Sequence, residues 1–319
     1  MTRALLCDLY KGPSRMRMGD SPDTAAGKGD VAVRVTACGV NASDWEFITG
    51  RPAYARVMAP FGGSGRVLGS DVAGVVEAVG EGVTGLAPGQ RVLADTFGHF
   101  GGFAERVVAP AKLWVPIPEG IDDVTAAALP QSGTIALAGV ADRVGAGKDV
   151  LINGAGGGSG PLAVQMALNA GARVSVVDRA EKLQMLERFN PDRLIDFEVE
   201  DVAARPERYD LILDLFGTRP ARQIARILKP GGRYGLVGGP MRPLFSVLVS
   251  GGLRSLLTDR KIGVLAVPLG PDRLPELLTL VGEGRLAPVV GEVAALEVSA
   301  DALTRMGRGE IAGKLVIRP

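Results

Sequence analysis

Five glycines crowd into one heptad, Gly154-Ala-Gly156-Gly157-Gly158-Ser159-Gly160. They follow a short apolar run, Val150-Leu-Ile-Asn153. They precede 161–169, where Leu162, Val164, Met166 and Leu168 spread so widely that the predicted helix must be largely buried. A strand, a glycine turn and a helix in that order are the context that a dinucleotide-binding turn requires, the alternative being a purely structural glycine turn. Glycine lets the chain turn sharply and lets a pyrophosphate approach the main chain. The helix start offers free N–H groups and partial positive charge to the phosphates. The strict G-x-G-x-x-G pattern fails at Ser159, and Gly154, Gly157 and Gly160 fit G-x-x-G-x-x-G instead. The following strand ends at Asp178, where a carboxylate hydrogen-bonds a ribose 2′-OH and repels a 2′-phosphate. Arg179 and Lys182, close by, suit a 2′-phosphate, so the residues point both ways. Gly238-Gly239 follow the fifth predicted strand, at the carboxyl edge of the sheet where ligands bind.

Other chemistry is narrowed by composition. One histidine and two cysteines among 319 residues cannot build a typical structural zinc site or a His-rich catalytic one. Cys7 and Cys38 form no CxxC pair, and a Ser-His-Asp hydrolase would have to use His99. A formal charge of +1 gives no general pull toward nucleic acid or an anionic membrane, and neither is expected as a partner. No signal peptide or membrane-length apolar run is visible, so a soluble, cytoplasmic protein in a reducing compartment is expected. Glycine numbers 45, about twice its usual share of ~7%. With hydrophobic residues at 46%, those glycines belong to turns and close approaches inside a folded protein.

The elements that position these residues fall into two textures. The first 120 residues read as mostly β. Val31-Ala-Val-Arg-Val-Thr36 alternates like a half-buried strand, and 72–79, 90–94 and 102–108 look like further strands between Gly/Pro turns. Such a pattern suggests a partly closed β-barrel. From about 122, helix and strand alternate. Helices are predicted at 124–140, 161–169, 181–189, 221–228 and 244–257. Strands are predicted at 150–153, 173–178, 193–197, 210–216, 233–237 and 262–267. This is the order of a doubly wound parallel sheet of about six strands. The remaining residues, 269–319, are too few for a third domain and are expected to complete the first.

The chain resembles the medium-chain dehydrogenase/reductase superfamily, in its zinc-free quinone oxidoreductase branch, the zeta-crystallin-like proteins. The carrying segments are Val40-Asn41-Ala-Ser-Asp44-Trp45, Leu68-Gly69-Ser-Asp71-Val-Ala-Gly74, Pro88-Gly89-Gln-Arg-Val92 and Gly101-Gly102-Phe-Ala-Glu105. Ala128-Leu-Pro130-Gln-Ser-Gly133-Thr134, the glycine turn, Leu228-Lys-Pro-Gly-Gly232 and Gly313-Lys314 complete the series. The resemblance implies a GroES-like β-barrel catalytic domain (1–120 completed by 269–319) and a Rossmann NAD(P)-binding domain (121–268) with a cleft between them. It implies NADPH, less often NADH, as cofactor, and hydride transfer to a quinone or an activated, α,β-unsaturated double bond. A homodimer joined through the Rossmann sheet edge at 262–267 is also implied. Where zinc-dependent relatives carry a Cys and a His-Glu pair, this chain carries Asn41 and Ser70-Asp71, so no zinc is expected. Asn41, Thr134 and, as an approximate replacement for family tyrosines, Tyr54 are the catalytic candidates. Trp45, Phe97 and His99 are candidates for the substrate pocket. Taken as lone residues, the aromatics are more often core, His99 a surface-loop residue, Lys314 a solvated strand-end lysine and Cys38 an inert small hydrophobe.

Two other readings stay open. A class I S-adenosylmethionine-dependent methyltransferase also has a glycine loop, an acid ending strand two and a late Leu-Lys-Pro-Gly-Gly, but it leaves the β-rich first part unexplained. A non-catalytic nucleotide-binding protein is the other. A short-chain reductase is disfavoured because Tyr54, Tyr209 and Tyr234 are followed four places on by Met58, Leu213 and Gly238, not by lysine.

Overall fold

The alternating run at 31–36 lies in a ten-residue strand, Asp30–Gly39, on which the first part of the molecule is built. Over 31–36 the alternation holds: Val31, Val33 and Val35 are buried, Arg34 is exposed and Thr36 half-buried, while Ala32 is covered as well. The register with the neighbouring strand shifts twice, between Ala32 and Val33 and between Val35 and Ala37, irregularities that add local twist. Asp30–Gly39 pairs antiparallel with Asp71–Val79 along one edge. The other edge is shared: residues 30–34 pair with Arg106–Pro110, and 38–39 pair with Lys314–Arg318. The C-terminal strand is thereby part of the same sheet, whose order is Val290–Ala295, Lys314–Arg318, Asp30–Gly39, Asp71–Val79, Arg91–Asp95, Trp114–Pro116. A small sheet of Arg17–Ser21, Thr2–Cys7 and Arg66–Val67 accompanies it. Phe103, Leu5, Ile48 and Leu68 are among the fully buried side chains of its core.

This computed structural model describes residues 1–58, 62–141 and 143–319. They divide into two compact units, Met1–Gln131 with Leu269–Pro319, and Ser132–Pro268. The first unit is less purely β than its composition suggests, with helices at Ala42–Thr49 and Tyr54–Met58. Asp44 sets the first of these, because its carboxylate accepts the Asn41 N–H at 2.8 Å, as a capping acid does. Gly50 ends it at φ 65°, a left-handed conformation that glycine adopts without strain.

The second unit carries six parallel strands in the order Arg193–Asp196, Arg173–Asp178, Asp149–Asn153, Tyr209–Asp214, Leu228–Leu236, Lys261–Val264. In chain order that is 3-2-1-4-5-6, the doubly wound dinucleotide-binding arrangement. Val150, Leu151 and Ile152 are wholly buried in its centre. Several helices differ from the periodicity reading. The run at 124–140 is Asp123–Ala127, then Pro130–Ala136 ending in a π-turn, because Pro130 has no N–H to continue the first helix. The helix expected at 181–189 is one α-turn, Ala180–Leu183, followed by 3₁₀ turns. The last strand stops at Val264. No described helix is long and apolar enough to cross a membrane.

Candidate functional site

The glycine turn is held shut by its own backbone. Gly154 N–H and Ala155 N–H both donate to the Val177 carbonyl, at 2.9 and 3.1 Å, and Gly154 takes φ +76°. A Cβ on Gly156 would lie 2.5 Å from Lys182 Cβ and 3.0 Å from Asp178 Oδ2, and one on Gly160 would lie 1.9 Å from the Ala155 carbonyl oxygen. Steric necessity thus falls on Gly154, Gly156 and Gly160, while at Gly157 the nearest neighbour of a Cβ is 3.9 Å away. Gly158 precedes the helix Ser159–Asn169, whose first N–H groups have no intrahelical acceptor. A turn with glycine where side chains cannot fit, leading into a free helix start, suits a pyrophosphate.

Asp178 lies beside that turn, buried, with both oxygens engaged. Oδ2 accepts Gly156 N–H at 2.7 Å and Oδ1 accepts Arg179 N–H at 2.9 Å. The carboxylate braces the glycine turn. Arg179 is exposed and pairs with Glu198 at 3.1 Å, its guanidinium over the Phe197 ring. The Lys182 stem covers Gly156.

Sequence reasoning missed a polar girdle at the carboxyl ends of three strands. Asp214, 2% exposed, accepts from Asn153 Nδ2 at 2.7 Å and from the Tyr234 hydroxyl at 2.8 Å. Burial pushes the Asp214 carboxyl up, and these two hydrogen bonds oppose the rise. Gly239 closes the same edge at φ +136°, and a Cβ there would meet the Gly217 carbonyl oxygen at 2.6 Å. Gly238 accepts Gly217 N–H through its carbonyl at 2.9 Å. Thr134 is buried in the helix Pro130–Ala136 of this unit.

In the first unit the structure gathers Asn41, Ser70, Asp71, Gln131 and Lys314. Lys314 is not a solvated strand-end lysine. Its side chain is 3% exposed, and Nζ donates to Asn41 Oδ1 at 2.7 Å and to Asp71 Oδ2 at 3.0 Å. Gln131 donates through Nε2 to Ser70 Oγ at 2.9 Å and through its backbone N–H to Asp71 at 3.3 Å. Gly39 makes room for the lysine, since a Cβ there would lie 2.8 Å from Lys314 Cε and 2.2 Å from the Ala127 carbonyl oxygen. A strand-end lysine gives no local signal of burial. Its partners arrive only through the shared edge of Asp30–Gly39.

Two further carboxyls share this surrounding. Asp44 accepts from Asn41 N–H and Gly69 N–H, yet burial, aided by the charge of Asp71, raises it to about 7. Asp95 accepts from Phe97 N–H and Gly270 N–H and is raised to about 6, by burial and then by the Asp71 charge. Burial likewise raises Asp71, and the Lys314 ammonium opposes it. Cys38 is buried with its thiol pushed well up, inert as a nucleophile.

The remaining candidates are dispersed. The Tyr54 hydroxyl donates to Glu46 Oε1 at 2.5 Å. Trp45 packs so closely on Gly307 that a Cβ there would lie 2.1 Å from its ring, which makes it a wall against the helix Ser299–Gly307. Phe97 belongs to an aromatic trio, 6.2 Å from Phe47 and 5.3 Å from Phe100 between ring centroids. His99 is exposed in the turn that follows Thr96.

Comparison with known proteins gives two family matches. Residues 27–119 match the alcohol dehydrogenase GroES-like domain, and residues 190–317 match the zinc-binding dehydrogenase family. The chain is 27% identical to the chloroplastic quinone-oxidoreductase QR1 of Triphysaria versicolor, over 100% of this chain and 99% of that protein. It is 29% identical to the NADPH-dependent alkenal/one oxidoreductase of Arabidopsis thaliana, over 79% of this chain and 64% of the relative. The quinone oxidoreductase from Coxiella burnetii superposes with a TM-score of 0.87 at 24% identity, covering 100% of this chain and 99% of the other, a likeness of fold.

The raised carboxyls make stability depend on pH. Asp95 holds its proton to about pH 6 when folded, against about 3.9 in an unfolded chain. The folded state therefore binds more protons between those values, and this contribution is present below pH 4 and lost as pH rises through 6. Asp95→Asn keeps an acceptor for Phe97 N–H and removes the titration. Its thermal midpoint, measured relative to wild type, should rise by a few degrees between pH 4 and pH 7. A constant difference across that range contradicts the assignment.

Proposed function

The chain belongs to the medium-chain dehydrogenase/reductase superfamily, in its quinone oxidoreductase branch, and from that premise we propose a zinc-independent NADPH-dependent reductase of quinones and α,β-unsaturated carbonyl compounds. The observation that carries the cofactor is the glycine turn, where Gly156 and Gly160 have no room for a Cβ and the helix start carries no side-chain cap. The acceptor class rests on relatives named as reductases of quinones, alkenals and enones. A bound nicotinamide supplies the hydride. The protein must then hold the acceptor, exclude water and stabilise the oxygen that gains charge. Asn41 is our candidate for that oxygen, Thr134 for contact with the nicotinamide, and Tyr54, oriented by Glu46, for the pocket with Trp45, Phe97 and His99. A quinone's hydroquinone product can take its protons from water, so no dedicated acid is required for that substrate.

Metal independence is supported by the donor set. The places that carry Cys and His-Glu in zinc-dependent relatives hold Asn41, Ser70 and Asp71, and the Lys314 ammonium already bonds Asn41 and Asp71. A divalent ion there would meet a buried like charge. For the cofactor we favour NADPH over NADH. Both Asp178 oxygens accept backbone N–H groups, and Arg179 and Lys182 flank the turn. Cys7 and Cys38 are free and buried, which supports a reducing, cytoplasmic location.

A homodimer through the second unit's sheet edge is also proposed. The edge strand Lys261–Val264 pairs on one side only, and Val264 is 41% exposed. The helical run 241–257 exposes Phe245, Leu253, Leu256 and Leu257, the last two at 84% and 75%. An apolar face of that kind marks an association surface.

Turnover of quinones, enones and enals with each cofactor, with and without a chelator, tests the activity. Activity with NADPH that survives chelation is expected. Activity abolished by the chelator contradicts metal independence, and stabilisation by S-adenosylmethionine alone sinks the reductase reading. Asp178→Asn keeps an acceptor for Gly156 N–H but removes the charge that repels a 2′-phosphate. NADPH should then bind roughly five- to tenfold more tightly, and unchanged affinity for both cofactors would leave Asp178 as a brace only. Leu256→Glu with Leu257→Glu should sediment as a monomer, and an intact dimer in that variant places the interface elsewhere.

A further inference from the structure

Lys314 has a role beyond repelling a metal. An ammonium has three donors and no acceptor. The Asn41 carboxamide atom 2.7 Å from Nζ is therefore the oxygen. With Oδ1 turned onto the lysine, Nδ2 must point the other way, toward Ser70 Oγ at 3.5 Å. Asn41 therefore presents Nδ2, a donor, to everything on its side away from the lysine, although an unconstrained carboxamide can present either atom. Its partners are fixed in turn. Asp71 takes the ammonium at 3.0 Å and is itself held by Gln131 N–H, while Gln131 Nε2 holds Ser70 Oγ. Gly39 leaves room for the Lys314 stem, since a Cβ there would meet Cε at 2.8 Å.

We propose that Lys314 is a positioning residue for Asn41. It pins the carboxamide with Oδ1 on the ammonium and Nδ2 turned away from it, and polarises it, so that the second Nδ2 hydrogen, beside the long 3.5 Å contact to Ser70 Oγ, is the one offered to an acceptor oxygen and holds it more strongly as negative charge develops. The ligand group it selects is a carbonyl oxygen on its way to an enolate or phenolate. An ether or a hydroxyl that gains no charge profits less. A buried charge beside a hydrogen bond strengthens it because little water screens the field. This role rests on the reductase reading above, and the experiment separates the two.

Lys314→Met is combined with Asp71→Asn, so that no buried charge loses its partner. Turnover of a quinone and an enone is measured alongside NADPH binding by cofactor fluorescence. The expected result is a kcat lower by roughly 10- to 100-fold with NADPH affinity unchanged. In an Asn41→Ala background the same pair of changes should cost less than about threefold, because no carboxamide remains to be oriented. Lys314→Gln keeps an N–H donor toward Asn41 without the charge. It should lose less than the paired variant, and it serves in the same cycle should the paired variant not fold. Wild-type kcat in the paired variant overturns the proposal, as does an equal loss with and without Asn41. A wild-type chain that reduces none of the acceptors removes the function and this role together, a result distinct from unchanged coupling in an active enzyme.

Discussion

An ammonium ion cannot be left alone in a protein interior, and Lys314 is 3% exposed. Its carboxylate partner, Asp71, lies 243 residues away in sequence and is itself wholly buried. Separating such a pair costs on the order of 3–5 kcal/mol, because each charge would be left without compensation. The pair therefore restricts where the last strand can go. Lys314–Arg318 must lie on the edge of Asp30–Gly39, with glycine at position 39 to admit the lysine stem. The neighbouring acids share the same dry surrounding. Asp44 and Asp95 receive backbone N–H groups, but burial, and after it the Asp71 charge, raises their carboxyls to about 7 and about 6.

In the second unit the governing constraint is steric. The turn after Asp149–Asn153 comes so close to the next strand and to its own helix that Gly156 and Gly160 admit no side chain. Asp178 answers to the same turn, giving one oxygen to Gly156 N–H. The acid that ends strand two thus stabilises the glycine turn before any ligand is considered. At the same edge Asn153, Asp214 and Tyr234 satisfy one another, so the carboxyl ends of three strands meet as a bonded set.

Local chemistry explains what was legible beforehand. The strand–glycine–helix signal at 150–169 depends on neighbours in sequence, and so does the alternation of helix and strand that orders the parallel sheet. Helix lengths were less legible. Pro130 stops one helix, and the segment after Leu183 tightens to 3₁₀ turns, where apolar spacing alone predicts continuity. The strand at 31–36 reads as half-buried and its alternating face is buried, but alternation does not show that Ala32 and Cys38 are covered as well. For Phe97 and Trp45 the sequence offers pocket wall or core, and what each touches, Phe47 for the one and Gly307 for the other, is set by residues distant in the chain.

Residue order by itself determined the family, the two textures of the chain and the place of the glycine turn. Each is written in runs of a dozen residues or fewer, within which hydrophobic spacing and glycine sterics act directly. Only the tertiary structure decided what Lys314, Asp71 and Asn41 do. Their meaning lies in distances near 3 Å between residues up to 273 apart in sequence. A lysine at a strand end is normally solvated. Here the shared edge of one bulged strand carries it inside, where desolvation demands a carboxylate and leaves the asparagine one way to face.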